Sequence, residues 1–281
     1  MAIGPRDTDA LLFLDETGTS NYFKPSKLAH QKSLIAAGKK PDTSVIFGLA
    51  GVLFRRADYK RFHTSLRAVK TRRFGTSLFT LHEYDIRKMK QPPFTALKDD
   101  AVWAAFERDL SALIARTPFL VIVATLDKIA MQDRYDDPHR PYEYCLHVIL
   151  ERGVNEKAYG DTCRIIAENR QAGLNKELIA EFLRLQTEGG TIDGSPTVAP
   201  EEFRSRFDPT IVFREKRDLD SGLEMADLAV GPVTRWLHDL NTRVNRDVLP
   251  LVRPKLRRSK SGKLRGYGIK CLPEYPATSP V

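Results

Sequence analysis

The chain has 281 residues, 42% of them hydrophobic, enough to bury a substantial core as one large α/β domain. No apolar run approaches the roughly 18 residues needed to cross a bilayer, and the opening MAIGPRDTDA lacks the basic and apolar segments of a secretory signal, so the expectation is a cytoplasmic protein with no membrane partner. Three cysteines without CxxC spacing argue against a disulfide framework or a zinc site, while a formal charge of +9 favours polyanionic partners, nucleic acid first.

Residues 11–16 read as a strand and 45–54, VIFGLAGVLF, as a second that is apolar on both faces. Between them, 21–44 is a polar, basic insertion with two prolines, long enough to be a functional loop or flap. Its 24–42 portion is a candidate contact surface for a protein partner. Tyr59, Phe62, Leu66 and Val69 have helical spacing in a strongly basic segment. SLFTLHEYDI, 77–86, reads as a third strand ending in His82, Glu83 and Asp85.

An amphipathic helix over 96–117 stops at Pro118 and delivers the chain to 119–128, a continuous apolar run expected of a strand buried on both faces. Helix and strand then alternate: helix 141–159, strand 163–169, helix 176–189, strand 210–216, and helix 222–240, in which Pro232 should impose a bend. Three antiparallel-type strands followed by alternating helices and strands predict an α/β fold, a mixed sheet with helices on both faces, over 1–245. The remainder, 246–281, is basic and rich in proline, a tail expected to be ordered only where it docks.

Acids recur where these elements end. Asp15 and Glu16 close the first strand, Asp127 the fourth and Glu168 the fifth, while Asp227 stands in the apolar helical stretch MADLAVG. Sites in open α/β sheets form beyond the carboxyl ends of the strands, so these acids have a place to converge. Carboxylates held together raise one another's pKa unless a cation joins them, and hard oxygen ligands select Mg²⁺ or Mn²⁺. Two such ions roughly 4 Å apart can drive phosphodiester hydrolysis. The plainer alternative is that each acid is a turn residue or a cap, and that Asp227 pairs with an arginine.

LLFLDETG, FGLAGVLF, LHEYDI, VATLDK, IIAENR and SGLEMADLAVGPVTR, taken in this order, resemble the DUF3800 family, whose members have a ribonuclease H-like fold. The likeness runs from residue 11 to about 240. Asp15-Glu16-Thr17-Gly18 differs from the family's opening Asp-Glu-Ser-Gly only in keeping threonine for serine, and Ala226-Asp227-Leu228 matches outright. His82 matches a histidine after the third strand, and Asp127-Lys128 an Asp-Lys ending the fourth. Glu168-Asn169-Arg170 replaces the more usual Asp-x-Arg, and Glu224 stands where glutamine is common.

The resemblance implies a ribonuclease H-like sheet with Asp15 on its central strand bridging Mg²⁺ or Mn²⁺ and Asp227 completing the site. Glu168 is the second acid by motif, with Asp127 in reserve by topology. Glu16 faces away from Asp15 if the strand stays regular, or reaches the site if the chain turns at Gly18. His82 can orient a water or protonate a leaving oxygen. Lys128 and Arg170 are candidates for phosphate contacts, as are two basic clusters, 60–73 and 253–266, the latter holding Arg257, Arg258 and Lys260, with Tyr267 nearby to stack on a base. The expectation is a metal-dependent nuclease or related phosphoryl-transfer enzyme. Its alternatives are a catalytically degenerate nucleic-acid-binding adaptor and a regulatory module that binds a protein partner.

Overall fold

A computed structural model describes residues 8–39, 43–170, 172–192, 195–240 and 246–276. In chain order the elements are β1 (Ala10–Thr17), α1 (Pro25–Ala36), β2 (Ile46–Arg55), α2 (Arg56–Phe74), α3 (Glu83–Lys88), α4 (Asp100–Arg116), β3 (Phe119–Asp127), α5 (Lys128–Arg134), α6 (Pro141–Val154), β4 (Cys163–Glu168) and α7 (Ala172–Glu188). They continue as β5 (Gly190–Ile192), β6 (Ser195–Val198), α8 (Pro200–Arg206), β7 (Val212–Arg214), α9 (Ser221–Leu237), α10 (Leu249–Val252) and β8 (Ile269–Leu272). Six strands form one mixed sheet in the order β7-β4-β1-β2-β3-β8, and β5 and β6 form a separate hairpin.

Within the main sheet β2 runs antiparallel to both β1 and β3, while β4 is parallel to β1, β7 to β4 and β8 to β3. The alternation of side chains along each strand splits the core into two layers. Leu11 and Phe13 of β1 join Ala50, Val52, Phe54, Val121, Val123 and Ile166 beneath α2, α4 and α9. Leu12 and Leu14 join Leu49, Leu53, Leu120, Ile122, Ile165 and Ala167 beneath α6, α7 and α8. Helix α9 lies very close to the sheet: a Cβ at Gly222 would run into the Phe13 ring, so only glycine permits this approach.

Three expectations change. Residues 77–82 form no strand, and the chain turns directly into α3. The reason is visible in its backbone partners: the Phe79 carbonyl accepts from Lys70 Nζ, the Leu81 N–H donates to Glu224 and the Glu83 N–H to Asp227. Side chains from α2 and α9 take the bonds that a neighbouring strand would have made. The third antiparallel strand is therefore β3, one position earlier in the order than the sequence implied. This makes the strand of Glu168 the fourth, beside β1, and leaves the strand of Asp127 two away with β2 between.

The insertion is not a loop throughout: α1 occupies Pro25–Ala36, with proline at its first turn, where a missing N–H costs nothing. Phe23, Val45, Ile46 and Ile129 pack together at its base, while residues 40–42 of the insertion lie outside the described residues. The segment from 246 docks on the sheet and helices at several points. β8 extends the sheet next to β3, and Leu251, Val252, Leu256, Leu264, Ile269 and Cys271 are buried. Helix α9 runs through Pro232 to Leu237. Among the described residues no helix is long and apolar enough to cross a membrane.

Candidate functional site

The parallel pairing of β1 with β4 sets Phe13 beside Ile166 and Leu14 beside Ala167. One residue further along, Asp15 and Glu168 stand at the same level, and both follow the side-chain direction of Phe13 and Ile166, toward α9. Helix α9 begins there, with Asp220 capping it by accepting the Gly222 N–H at 2.9 Å. Asp220, Glu224 and Asp227 are spaced by four and three residues, so all three lie on one face of the helix. With Thr80, His82 and Leu223, and with Glu215 from just beyond β7, these acids line a small cleft.

Asp15 is buried, and its Oδ1 accepts the Glu16 N–H at 2.9 Å. Burial holds its carboxyl well above the usual range, and repulsion from Asp227, Glu16 and Glu168 pushes it the same way. Asp227 accepts the Glu83 N–H through Oδ2 at 2.6 Å and places Oδ1 3.4 Å from His82 Nδ1. Glu224 receives Lys70 Nζ at 2.7 Å and the Leu81 N–H at 2.8 Å, both through Oε1. Burial raises its pKa and Lys70 works against that rise. Asp220 also accepts the Tyr59 hydroxyl at 2.9 Å, and the Glu215 carboxylate accepts Asn169 Nδ2 at 2.5 Å.

The structure thus brings together Asp15, Glu168, Asp227 and His82, and adds Glu224, Glu215 and Asp220, with Lys70 behind them. The 220, 224, 227 spacing was readable as one helical face. Lys70 was readable as well, since it falls four residues after Leu66 on the apolar side of α2. It belongs to the basic cluster 60–73, expected to supply phosphate contacts, and is instead buried. In that cluster Arg61 pairs with Asp58, and Arg72 and Arg73 share Asp109.

Other expected site residues lie elsewhere. Glu16 faces the α6 layer and pairs with Arg170, whose guanidinium sits 4.5 Å over the Tyr142 ring, so Arg170 supports the fold and does not line the cleft. Asp127 caps α5, accepting the Ile129 and Ala130 N–H groups at 2.9 and 3.0 Å. Lys128 is fully buried: its Nζ donates to the Thr19 carbonyl and hydroxyl, each at 3.0 Å, and to the Asn21 carbonyl at 3.2 Å, which closes the turn after β1. It has no surface to offer a phosphate.

Arg257 pairs with Glu156, in the connection that enters β4, and lies 5.5 Å over the Tyr267 ring. That is the edge of the sheet where β1 and β4 begin, opposite the edge where Asp15 and Glu168 end them. Arg258 donates to the Gly262 carbonyl at 2.9 Å and Lys260 is exposed, so none of the three tail cations lines the cleft.

Among the described residues no three His, Cys, Asp or Glu side chains are already drawn together as a ligand set. The donor chemistry nevertheless fits a hard divalent cation: carboxylate oxygens from β1, β4 and α9 share one cleft, and one of them, Asp15, is disfavoured as an anion first by burial and then by its acidic neighbours. Asp15, Glu168 and Asp227 are the residues that would hold such an ion. No family model, no curated protein and no solved structure matches the chain.

Proposed function

We propose that the protein is a divalent-metal-dependent phosphodiester hydrolase of ribonuclease H-like fold, acting on nucleic acid with Mg²⁺ or Mn²⁺ at Asp15, Glu168 and Asp227. The observation that carries this reading is the meeting of acids from β1, β4 and α9 in one cleft, with the Asp15 carboxyl held above its ordinary pKa. The sheet supports it: β1, the strand of Asp15, lies in its interior between β4 and β2, as the likeness to DUF3800 implies. The formal charge of +9 suits a polyanionic substrate.

When bound, the ion supplies Lewis-acid activation and neutralises charge on the phosphodiester. Asp15 anchors that ion from the rigid centre of the sheet, where β2 and β4 hold its backbone on both sides. Asp227 both faces the cleft and fixes the start of α3, which keeps His82 beside it to move a proton to the leaving oxygen.

A second reading has its own support. Asp227, Glu224 and Asp220 each already serve the fold, accepting from Glu83, Leu81 and Gly222 respectively, as acids in a catalytically degenerate nucleic-acid-binding adaptor would. Cleavage of single- and double-stranded DNA and RNA with Mn²⁺ separates the two. The hydrolase requires cleavage that Asp15→Asn and Asp227→Asn remove while leaving nucleic-acid binding intact. Binding without cleavage under every condition, with no uptake of Mn²⁺, establishes the adaptor.

A further inference from the structure

Helix α2 sends a lysine into the wall of the cleft. Lys70 is 1% exposed, as is Glu224, and the two pair at 2.7 Å. The ammonium also donates to the Phe79 carbonyl and lies 4.6 Å over the Phe79 ring. A pair this deep is weak evidence for stability, because removing both charges from water offsets most of their attraction.

The bonding of Glu224 is lopsided. Oε1 takes both donors, the Lys70 ammonium and the Leu81 N–H. Oε2 is buried and has no hydrogen-bond partner, in a residue that lines the cleft with Asp15, Glu168 and Asp227. An unsatisfied buried polar atom destabilises a fold, so one that needed only the ion pair would gain by sharing the donors between both oxygens. With two donors on Oε1 the carboxylate cannot rotate without breaking both. Oε2 is thereby the oxygen kept for something else.

Building on the hydrolase reading, we propose that Glu224 is a further ligand of the divalent cation, binding through Oε2, and that Lys70 is its positioning residue. Glu224 precedes Asp227 by three residues on the same face of α9, so one helix supplies two ligands to the ion held from the sheet by Asp15. Lys70 neutralises the oxygen turned away from the cation and fixes the one turned toward it.

The test is Mn²⁺ binding to the full chain, followed by the EPR signal of the free and bound ion, with thermal melting in metal-free buffer as the check on folding. Glu224→Gln keeps the shape and should weaken Mn²⁺ binding about tenfold or more. Lys70→Met should weaken it by about 10- to 100-fold, the usual effect of removing a residue that orients a metal ligand. Either single change can destabilise the fold by leaving a buried partner alone, so the double variant Lys70→Met with Glu224→Leu, which replaces the pair by apolar side chains, is the decisive one.

Weak Mn²⁺ binding in a double variant that melts like the wild type supports the proposal, because a merely structural pair would have been replaced without loss. Wild-type affinity in the double variant, or in a folded Glu224→Gln, overturns it while the hydrolase reading stands, provided Asp15→Asn has lost the ion. No Mn²⁺ binding by the wild type overturns both.

Discussion

Asp15 and Glu16 are neighbours in the chain and end on opposite faces of the sheet, in two different kinds of surroundings. On the α6 side Glu16 meets Arg170, itself laid over Tyr142, and the charge is answered by a charge. On the α9 side Asp15 meets Glu168 and Asp227, and its carboxyl is driven upward by burial and by theirs. The first arrangement sets opposite charges together; the second is a concentration of like charges that favours a cation. A carboxylate on a strand end therefore says little alone, and what decides its meaning is whether the fold has already supplied its partner.

The sharpest way to break this comparison is activity. Asp15→Asn should lower cleavage by about 10³-fold or more, matching the several kcal/mol that a bound divalent ion contributes, while Glu16→Gln should leave it within severalfold. Equal losses in the two variants, measured with nucleic-acid substrates and Mn²⁺, would place both acids in the same role and end the distinction.

Stability should show the reverse preference. Arg170 and Glu16 are both largely buried, so Glu16→Gln strands a guanidinium and is expected to cost about 3 kcal/mol by urea denaturation. Metal should act on the other face only. Mg²⁺ or Mn²⁺ at 100 times its dissociation constant should stabilise the wild type by about 2.7 kcal/mol, seen as a higher Tm, and leave Asp15→Asn unmoved.

The smallest effect is the pH dependence of the metal-free protein. Because folding raises the Asp15 pKa, the native state holds its proton where the unfolded chain has lost it, so stability falls as pH climbs from the ordinary carboxylate range through the raised value. Asp15→Asn should melt higher than the wild type at neutral pH, by about 1.4 kcal/mol for each unit of the shift, and lose that advantage below pH 4. A variant that melts lower at pH 7 would mean that the Asp15 charge has a stabilising partner.

Much of this was legible from the chain. Apolar runs marked β1, β2, β3 and β4 because strands buried on both faces leave no polar positions, and alternation alone allowed Glu16 to face away from Asp15. The apparent strand at 77–86 failed for a different reason. LFTLHEYDI alternates well enough to pass for a strand, but its backbone is bonded by Lys70, Glu224 and Asp227, the two acids more than 140 residues away in sequence. Losing that strand moved Asp127 out of reach and Glu168 into place. Lys128 and Arg170 were misread similarly: a basic residue beside an acid looks available to a phosphate, and only packing reveals that Lys128 is sealed under the turn after β1.

By itself the sequence determined the layered α/β architecture, the strand that carries Asp15 and the helix that carries Asp227, because these follow from local periodicity and from where apolar runs meet charge. The tertiary structure alone decided which acids share a cleft, which cations are spent on the fold, and that the partner of Lys70 is Glu224. Register between strands and the approach of α9 to Phe13 are long-range outcomes of packing, and no local pattern encodes the distance between two side chains that meet only when the sheet closes.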